Sequence, residues 1–389
     1  MSSPSSGTPE KPSGVSLWQQ MPASGRAFIR FWGGCTALAG VLALTLQVMG
    51  PPYAAVSGED IDVGTTSPAV LTALANKTDI PAPMGDLLSD QIGPGGFALP
   101  KPGPHGLLPG LAYAAPVVPV PADNAQVALL IDGIGQSDDE LSNQAIDTLP
   151  GPVSLAVSPF AADPMSLMER ARTHHHETLL SLPIQGSDAE SRNGKGITGQ
   201  DALTPSLSVE HNKETLNALL SHLAGYAGVT NAFSGQTGGD YAHSPAFTPL
   251  LASLNQRGLF YLNATPATAP HGPGPIGTAD VAINTDADIV TIDILLLKLQ
   301  QLARKNGHAI GVMGPLRPVA LSCLRAWLPH LKTIGITLVP VSMLVMPPPP
   351  PPAAPKPPPQ PTAAEGAVHV QITPAPTDSR TTPTPFGHP

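Results

Sequence analysis

The chain has 389 residues, including 49 prolines and 38 glycines, and only 12% of its residues are charged. This composition predicts one folded domain with long flanks rather than several packed domains. The formal net charge of −9 provides no basic field for holding nucleic acid, so we expect no nucleic-acid partner. The two cysteines, Cys35 and Cys323, lie in different contexts and are too few for a disulfide framework or a zinc knuckle.

The amino-terminal flank contains a candidate membrane anchor. Residues 1–30 are rich in Ser, Pro and Gly and are predicted to be disordered. Residues 31–50 carry no charge and match the length of about 20 apolar residues that crosses a bilayer. Arg26 and Arg30 precede this segment and acidic residues follow it, so the positive-inside rule leaves the amino end in the cytoplasm. We therefore expect a single-pass protein of the bacterial inner membrane with its domain in the periplasm.

A cleaved signal peptide is the alternative interpretation of this segment. The small residues Ala54 and Ala55 follow it, as small residues do at a cleavage site. However, Tyr53 or Pro52 would then occupy a position that needs a small residue, which argues against cleavage there. If cleavage does occur, the protein is secreted to the periplasm.

Two low-complexity segments flank the predicted domain. Residues 51–125 alternate Gly, Pro, Ala and small polar residues, which predicts an extended linker, although the weakly amphipathic stretches 69–74 and 106–109 are candidates for docking on the domain. Residues 346–389 contain, directly after Met346, a run of prolines that favours polyproline II and cannot join a sheet. This tail is predicted to be disordered, either as a passive extension or as the binding site of a protein partner.

Residues 126–345 show the alternation of strands and helices that is typical of a parallel sheet. Short apolar runs predict strands at 127–131, 153–157, 177–182, 227–233, 259–263, 281–283, 309–313 and 337–342. Helical spacing of apolar residues predicts helices at 138–148, 163–174, 209–223, 245–257, 286–306 and 319–331. Gly258 and Gly307 lie where glycines end helices. Seven or eight such units predict an α/β barrel.

The first strand ends in a carboxylate. Residues 127–131 are wholly apolar and are followed by Asp132, Gly133 and, two residues later, Gly135. In parallel sheets and barrels the ligand site lies beyond the carboxyl ends of the strands, where Asp132 would be. Asp132 is therefore the first candidate for a catalytic residue.

Short motifs follow one another along this domain. They are IDGIG at 131–135, LP at 149–150 with VSLAVSP at 153–159, HETLLSLP at 176–183, GVTNAFSG at 228–235, RGLFYLN at 257–263, AIGVMGP at 309–315 and LVPVS at 338–342. In this order the set resembles the divergent polysaccharide deacetylase family, whose motifs read IDDxG, LPxxVTLAxxP, GHEVLLHLP, GVNNHMGS, RGLxFLD, AIGIGHP and LVPVS. The resemblance implies a distorted (β/α)7–8 barrel of the polysaccharide deacetylase type.

The resemblance also implies a deacetylase that holds a divalent metal with one carboxylate and two imidazoles. The family's ligand positions fall on Gly133, Ser181 and Ala232, and two further functional positions fall on Asn263 and Gly314. Glycine and alanine cannot bind a metal, and a neutral serine is a poor zinc ligand. We therefore expect no metal and no cofactor, with zinc only if the protein is an active enzyme.

The run His174-His175-His176 is the obvious alternative source of metal ligands. Adjacent residues point in different directions, and His176 lies at the start of a predicted strand, away from the carboxyl edge. A metal role for this run is therefore not predicted.

Other polar residues at the predicted strand ends are candidates for binding a glycan by hydrogen bonds. With Asp132 as the catalytic candidate, these substrate-binding candidates are Ser181, Gln185, Asn231, Ser234, Gln236, Asn263 and Arg317. The competing interpretation is that they only satisfy backbone groups of the loops, as such residues often do.

Three functional hypotheses follow. The favoured one is a membrane-anchored periplasmic protein of cell-envelope carbohydrate metabolism, degenerate as an enzyme and acting as a glycan-binding or scaffold module. The second is an active carbohydrate or peptidoglycan deacetylase, a hydrolase of N- or O-acetyl groups, with an altered site around Asp132, Ser181 and Asn263. The third is an interaction protein that acts chiefly through residues 346–389.

Overall fold

The computed structural model describes residues 66–136, 139–185, 201–266 and 268–346. The predicted anchor at 31–50, the disordered amino terminus and the Pro-rich tail lie outside these ranges. Their predictions, including a protein partner for the tail, stay predictions. Within the described ranges, no helix is both long enough and apolar enough to span a membrane.

The elements fall into an amino-terminal group and the predicted α/β domain. The first group contains α1 (Pro68–Ala75), β1 (Leu88–Ile92), β2 (Ala98–Pro100) and α2 (Pro109–Ala112). The strands of the domain are β3 (Ala125–Ile134), β4 (Ser154–Val157), β5 (Thr178–Ser181), β6 (Gly228–Thr230), β7 (Phe260–Asn263), β8 (Ile276–Thr278), β9 (Val281–Asn284), β10 (His308–Gly314) and β11 (Ile336–Val339). Its helices are α3 (Asp139–Thr148), α4 (Pro164–Thr173), α5 (Val209–Leu220), α6 (Phe247–Gln256), α7 (Ile289–Asn306), α8 (Pro318–Thr333) and α9 (Val341–Val345).

The domain is built on one curled, half-barrel sheet. Eight strands follow the order β8-β7-β6-β5-β4-β3-β10-β9, and every neighbouring pair is parallel. A ninth strand, β11, pairs with the first half of β3 and is also parallel to it. The predicted α/β class with a parallel sheet is therefore confirmed.

The two ends of this eight-strand path belong to one extended stretch of chain. Strand β8 pairs with β7, and β9, which begins three residues after β8 ends, pairs with β10. Between them, the Ala279 N–H donates to the Asn263 carbonyl at 2.8 Å, and the Asp280 N–H donates to the Ile310 carbonyl at 2.8 Å. Residues 276–284 thus bring the two ends of the sheet path together.

Side chains of β3 alternate between two apolar cores. Val127, Leu129 and Ile131 pack among the surrounding helices, whereas Ala128 and Leu130 belong to a second cluster on the other face of the sheet. Successive residues of a strand point to opposite faces, so Asp132 continues the row of Ala128 and Leu130. The strand therefore delivers its carboxylate to the inner face at the carboxyl edge.

The helices agree with the sequence predictions, and the differences lie in the strands. Gly258 and Gly307 both have positive φ values, of 70° and 85°, which confirms them as glycines that end helices. The strand predicted at 337–342 is shorter and is followed by α9, because Pro340 supplies no N–H to the ladder and precedes the first turn of that helix. Strand β8 was not predicted, since Ile-Gly-Thr is too short an apolar run to be noticed.

Residues 66–125 differ from the extended linker predicted for them. Leu87, Ala112 and Tyr113 are buried in the inner core of the sheet together with strand residues such as Leu130 and Phe260. The chain around α2 lies at the amino ends of the strands, where the Gly110 N–H donates to the Gly258 carbonyl just before β7, at 2.9 Å. Local composition suggested a spacer because these few apolar residues are separated by Pro and Gly.

A buried carboxylate joins this segment to the domain. Glu177 is fully buried and precedes β5. Its two oxygens accept hydrogen bonds from the Ala115 N–H at 3.0 Å, the Ser154 hydroxyl at 2.6 Å, the Ser342 N–H at 3.0 Å and the Ser342 hydroxyl. Residues far apart in the chain therefore meet on one side chain.

Lys77, which follows α1, binds the carboxyl end of α2 and the residues just after it. Its Nζ donates to the carbonyls of Leu111, Ala112 and Ala114 at 3.2, 3.1 and 2.6 Å. Burial lowers the pKa of Lys77 to about 8, an effect that the nearby charge of Glu177 opposes. The ammonium group thus satisfies three carbonyls that would otherwise lack a donor near the end of a short helix.

Replacing Lys77 by methionine is expected to lower the free energy of unfolding by about 1–2 kcal/mol, because the carbonyls of Leu111, Ala112 and Ala114 lose their charged donor. Urea unfolding measures this change. Lys298→Met, on the exposed surface of α7, is the matched control and should change stability little. Equal effects of the two substitutions would contradict an anchoring role for Lys77.

Candidate functional site

Asp132 lies where β3 leaves the sheet. Gly133 adopts a φ of 103°, which side chains rarely allow, and a Cβ there would lie 2.7 Å from the Leu316 nitrogen. The pairing between β3 and β4 shifts register between Asp132 and Ile134. This bend at Gly133 leaves the Asp132 side chain directed inward at the carboxyl edge.

The carboxylate of Asp132 is buried and hydrogen-bonded. Oδ2 accepts the Gly235 N–H at 2.8 Å, while the Ser181 hydroxyl and the Gln136 Nε2 each lie 3.5 Å from Oδ1. Burial raises the pKa of Asp132 to about 6, and the backbone hydrogen bonds from Gly235 and Ser234 oppose that rise. A carboxyl group with such a pKa can gain or lose a proton close to neutral pH.

A tight turn after β6 positions the donor for Asp132. The N–H and carbonyl groups of Phe233 and Gln236 form two reciprocal hydrogen bonds of 2.9 Å. Ser234 has a φ of 52° in this turn, and a Cβ on Gly235 would lie 2.6 Å from the Pro315 Cδ. The turn is packed so closely that only glycine fits where the N–H faces Asp132.

Several positions that the resemblance marks as functional surround Asp132. The Ser181 hydroxyl, at the end of β5, donates to the Ala232 carbonyl and also faces Asp132. Gly314 ends β10 so close by that a Cβ there would lie 2.6 Å from the Asp132 Cβ. The ends of several strands therefore meet at one point, and the acidic group at that point is the single carboxylate of Asp132.

Two of the predicted substrate-binding residues are committed to the protein's own loops. The Asn231 amide donates to the Thr237 carbonyl at 2.8 Å and to the Asn263 Oδ1 at 3.2 Å, and its oxygen accepts the Ala264 N–H at 2.6 Å. The Asn263 amide donates to the carbonyls of Thr265 and Thr268 at 3.0 and 2.8 Å. These contacts favour the competing interpretation, in which both residues brace the loops that follow β6 and β7.

The remaining predicted residues are spread over the same edge. Gln236 and Ser234 are exposed in the turn after β6. Gln185 is half-buried, and its backbone N–H donates to the Leu203 carbonyl at 2.7 Å. Arg317 forms a surface ion pair, with its Nε 3.0 Å from the Asp286 Oδ1.

An open cleft of about 90 Å³ lies beside Asp132, which is smaller than the pockets that enclose most small ligands. Its polar lining comes from Asp132, Gln236, Thr237 and Asn284, and small apolar residues such as Ala264 complete it. Sequence reasoning missed Gln136, Thr237 and Asn284. Their signal was weak, since each is only a polar residue within a few positions of a strand end or turn.

The residues around Asp132 do not fit a metal ion. Across the ranges that the structure describes, no group of three His, Cys, Asp or Glu side chains is placed to hold one. Among the described residues, the partners of the Asp132 carboxyl are a hydroxyl, an amide and backbone groups, which are poor substitutes for the imidazoles that the resemblance implies. We therefore assign no step of chemistry to a bound metal.

The three adjacent histidines point away from one another, as predicted. His174 lies 3.3 Å from Asp147 and His175 lies 3.6 Å from Asp79, both on the surface. His176 is buried, with its ring nitrogens 2.7 and 2.9 Å from the carbonyls of Val153 and Ile146. Burial lowers the pKa of His176, and these carbonyl contacts oppose that effect.

Comparison with known families identifies the chain. The family model described as divergent polysaccharide deacetylase matches residues 129–345, which is more than half of the sequence. The chain belongs to the divergent polysaccharide deacetylase family. The resemblance read from the short motifs is therefore confirmed, and the match includes every strand of the domain except the first residues of β3.

One solved structure has a fold similar to that of this deacetylase-family domain. An uncharacterized protein from Agrobacterium tumefaciens C58 is 28% identical with a TM-score of 0.57, over 64% of this chain and 100% of that one. The catalytic domain of a peptidoglycan N-acetylglucosamine deacetylase from Eubacterium rectale is 13% identical with a TM-score of 0.37, over 57% and 90%. A family 4 carbohydrate esterase from Streptomyces lividans is 12% identical with a TM-score of 0.33, over 55% and 92%. The last two likenesses are too weak to carry an argument, and no curated protein matches the chain.

Proposed function

We propose that this protein is a glycan-binding module of the cell envelope that has lost metal-dependent deacetylation. The observation that carries the proposal is the composition of the site. The strand ends converge on Asp132 as in a catalytic centre, but Gly133, Ser181 and Ala232 stand at the positions that the family resemblance assigns to metal ligands. Family membership supports a role with carbohydrate, and the changed site supports binding rather than hydrolysis.

The cleft offers suitable chemistry for a sugar. Gln236, Thr237 and Asn284 provide hydrogen-bonding groups next to the Asp132 carboxyl, and the exposed Ala282 provides an apolar contact beside them. Sugars carry hydroxyl groups around an apolar ring, so such a mixed lining suits them. In this proposal residues 276–284 close the half-barrel into a distorted (β/α)7–8 barrel. The carboxyl ends of the strands then surround one site.

The proposed location is the periplasmic face of a bacterial inner membrane. It rests on the uncharged segment 31–50 and on the basic residues before it, Arg26 and Arg30. The partners in this proposal are therefore an envelope glycan at the domain and the membrane at residues 31–50. Secretion after signal cleavage is the alternative location.

The first test uses the full-length protein purified in detergent without chelator, before and after loading with zinc. Elemental analysis is expected to find close to zero metal per chain. The same protein is expected to sediment with insoluble peptidoglycan and to release no acetate from it. About one retained zinc per chain together with acetate release would refute the proposal.

A second candidate function is favoured by one specific observation. The Asp132 carboxyl, whose pKa burial raises to about 6, has the properties of a general acid or base that works without metal. An active deacetylase of this kind would release acetate from acetylated sugar esters or amides in the presence of a chelator. That activity would disappear in Asp132→Asn, whereas an inactive binding module shows none in either protein.

A further inference from the structure

An exposed aromatic side chain is fixed in place at the carboxyl edge of the sheet. Phe160 is 44% exposed, although it contacts two other rings edge-to-face. Its ring centroid lies 6.1 Å from that of Phe233 and 5.7 Å from that of His222, with interplanar angles of 75° and 77°. Among the described residues, the other large apolar side chains with comparable exposure are aliphatic.

Both phenylalanines are connected to the Asp132 site. Phe160 follows β4, in a loop where the Ser158 N–H donates to the Ile134 carbonyl at 2.9 Å, next to the end of β3. In the same loop Ala161 packs so tightly on Gly135 that a Cβ on Gly135 would lie 2.6 Å from it. The loop is thus locked to the strand that carries Asp132.

Phe233, the other phenylalanine of this contact, is connected to Asp132 through the turn after β6. It begins the tight turn in which the Gly235 N–H donates to the Asp132 Oδ2 at 2.8 Å. The next residue of the turn, Gln236, lines the cleft. The exposed ring of Phe160 is therefore linked, through Phe233, to the turn that carries Gln236 and the N–H donor to Asp132.

From this arrangement we propose that Phe160, supported by Phe233, is a stacking platform for one pyranose ring of a glycan whose neighbouring unit enters the Asp132 cleft. The inference rests on the proposed glycan-binding function and names the residues that hold the chain outside the cleft. The C–H face of a pyranose is apolar and packs flat on an aromatic ring, while its hydroxyl groups at the rim remain available to side chains such as Gln236. Because Phe160 is already held by Phe233 and His222, little side-chain freedom is lost on binding.

The test measures binding of a soluble N-acetylglucosamine oligosaccharide to the full-length protein in detergent by calorimetric titration. Phe160→Ala is expected to weaken binding by about tenfold or more, and Phe160→Tyr, which keeps the ring, to retain it. Leu207→Ala removes another partly exposed apolar side chain and serves as the matched control. Thermal unfolding of each variant checks that the fold is unchanged.

Each outcome separates the two ideas. If the wild-type protein binds and Phe160→Ala binds equally well, the stacking platform is wrong while glycan binding stands. If the wild-type protein binds neither the oligosaccharide nor insoluble peptidoglycan, the proposed function fails and the platform with it. Loss of binding in both Phe160→Ala and Phe160→Tyr would also overturn the inference, because the ring itself would then not be the binding group.

Discussion

Replacing Glu177 by glutamine is expected to lower the free energy of unfolding by about 2–4 kcal/mol, since hydrogen bonds to a buried charge are lost and a donor is left unsatisfied. The carboxylate accepts four hydrogen bonds, from the N–H groups of Ala115 and Ser342 and the hydroxyls of Ser154 and Ser342. A glutamine amide has only one oxygen, so its NH2 group would face at least one N–H donor.

Denaturant unfolding measures this loss, and limited proteolysis locates it. In Glu177→Gln we expect faster cleavage within residues 66–125 and near α9, because those segments meet on this side chain. Glu169→Gln changes the same chemical group on the exposed face of α4 and should leave both readouts near the wild-type values. A loss of stability without new cleavage in 66–125 would mean that Glu177 does not anchor that segment.

Asp132→Asn is expected to make the protein more stable at pH 8, by at most about 3 kcal/mol for a pKa rise of this size. Burial raises the pKa of Asp132 from 3.8 to about 6, so the ionised carboxylate is costly in the folded state. An asparagine removes the charge and keeps an oxygen for the Gly235 N–H. Its NH2 group replaces Oδ1, so the Gln136 amide, whose Nε2 lies 3.5 Å from that atom, must turn to present its unpartnered oxygen, and the Ser181 hydroxyl oxygen can accept as well.

The effect of Asp132→Asn on stability is expected to depend on pH. The folded protein binds the Asp132 proton more tightly than the unfolded chain, so the stabilising contribution is complete below about pH 4 and is lost as the pH rises through about 6. Urea unfolding from pH 4 to 8 should therefore show a steeper fall in stability for the wild-type protein than for Asp132→Asn. The exposed Asp123→Asn is the control and should follow the wild-type curve. Parallel curves for the wild type and Asp132→Asn would contradict the raised pKa.

A residue that lowers stability at neutral pH needs another reason to be present. If Asp132→Asn is more stable than the wild type, the carboxyl group serves the site rather than the fold, which is the usual trade-off at functional positions. The glycan titration described for Phe160 then shows whether the carboxyl contributes to binding. This links the stability measurement to the function.

The order of strands and helices was predictable because short local sequence patterns indicate each element. Runs such as 127–131 and 309–313 are apolar enough to be read as buried parallel strands, and Gly258 and Gly307 mark where helices end. The position of Asp132 followed from the same pattern, because a carboxylate after a buried strand must lie at the carboxyl edge. The order of the short motifs along the domain then indicated the divergent polysaccharide deacetylase family.

The role of residues 66–125 was not predictable from local composition. Lys77, Tyr113 and the Ala115 N–H act through partners far away in the sequence, and each stands alone among Pro, Gly and Ala. A segment with few apolar residues reads as a spacer unless its partners are known. Those partners, above all Glu177, looked like ordinary strand residues.

The sequence predicted the position of the candidate site in the fold, but it did not predict the contacts that the side chains make there. The sequence predicted Asn231 and Asn263 at strand ends, but the direction of their amides depends on contacts with backbone groups of the following loops, at residues 237, 264, 265 and 268. Gln136 and Asn284 approach the same site from a loop and from a strand that closes the sheet path. Side-chain direction in loops is a tertiary property, and a single sequence does not contain it.

The stretch 276–284 has a consequence for how this protein meets other copies of itself. Unpaired strand edges are where chains add to one another and aggregate. Here both ends of the eight-strand path are strands of three and four residues in that one stretch, which leaves very little edge for a foreign strand. The β1–β2 hairpin lies outside this arrangement, and Ile92 at the end of β1 is 75% exposed. We therefore expect strand-mediated self-association of the folded domain, if it is forced at high concentration, to begin at the hairpin and to be suppressed by Ile92→Lys.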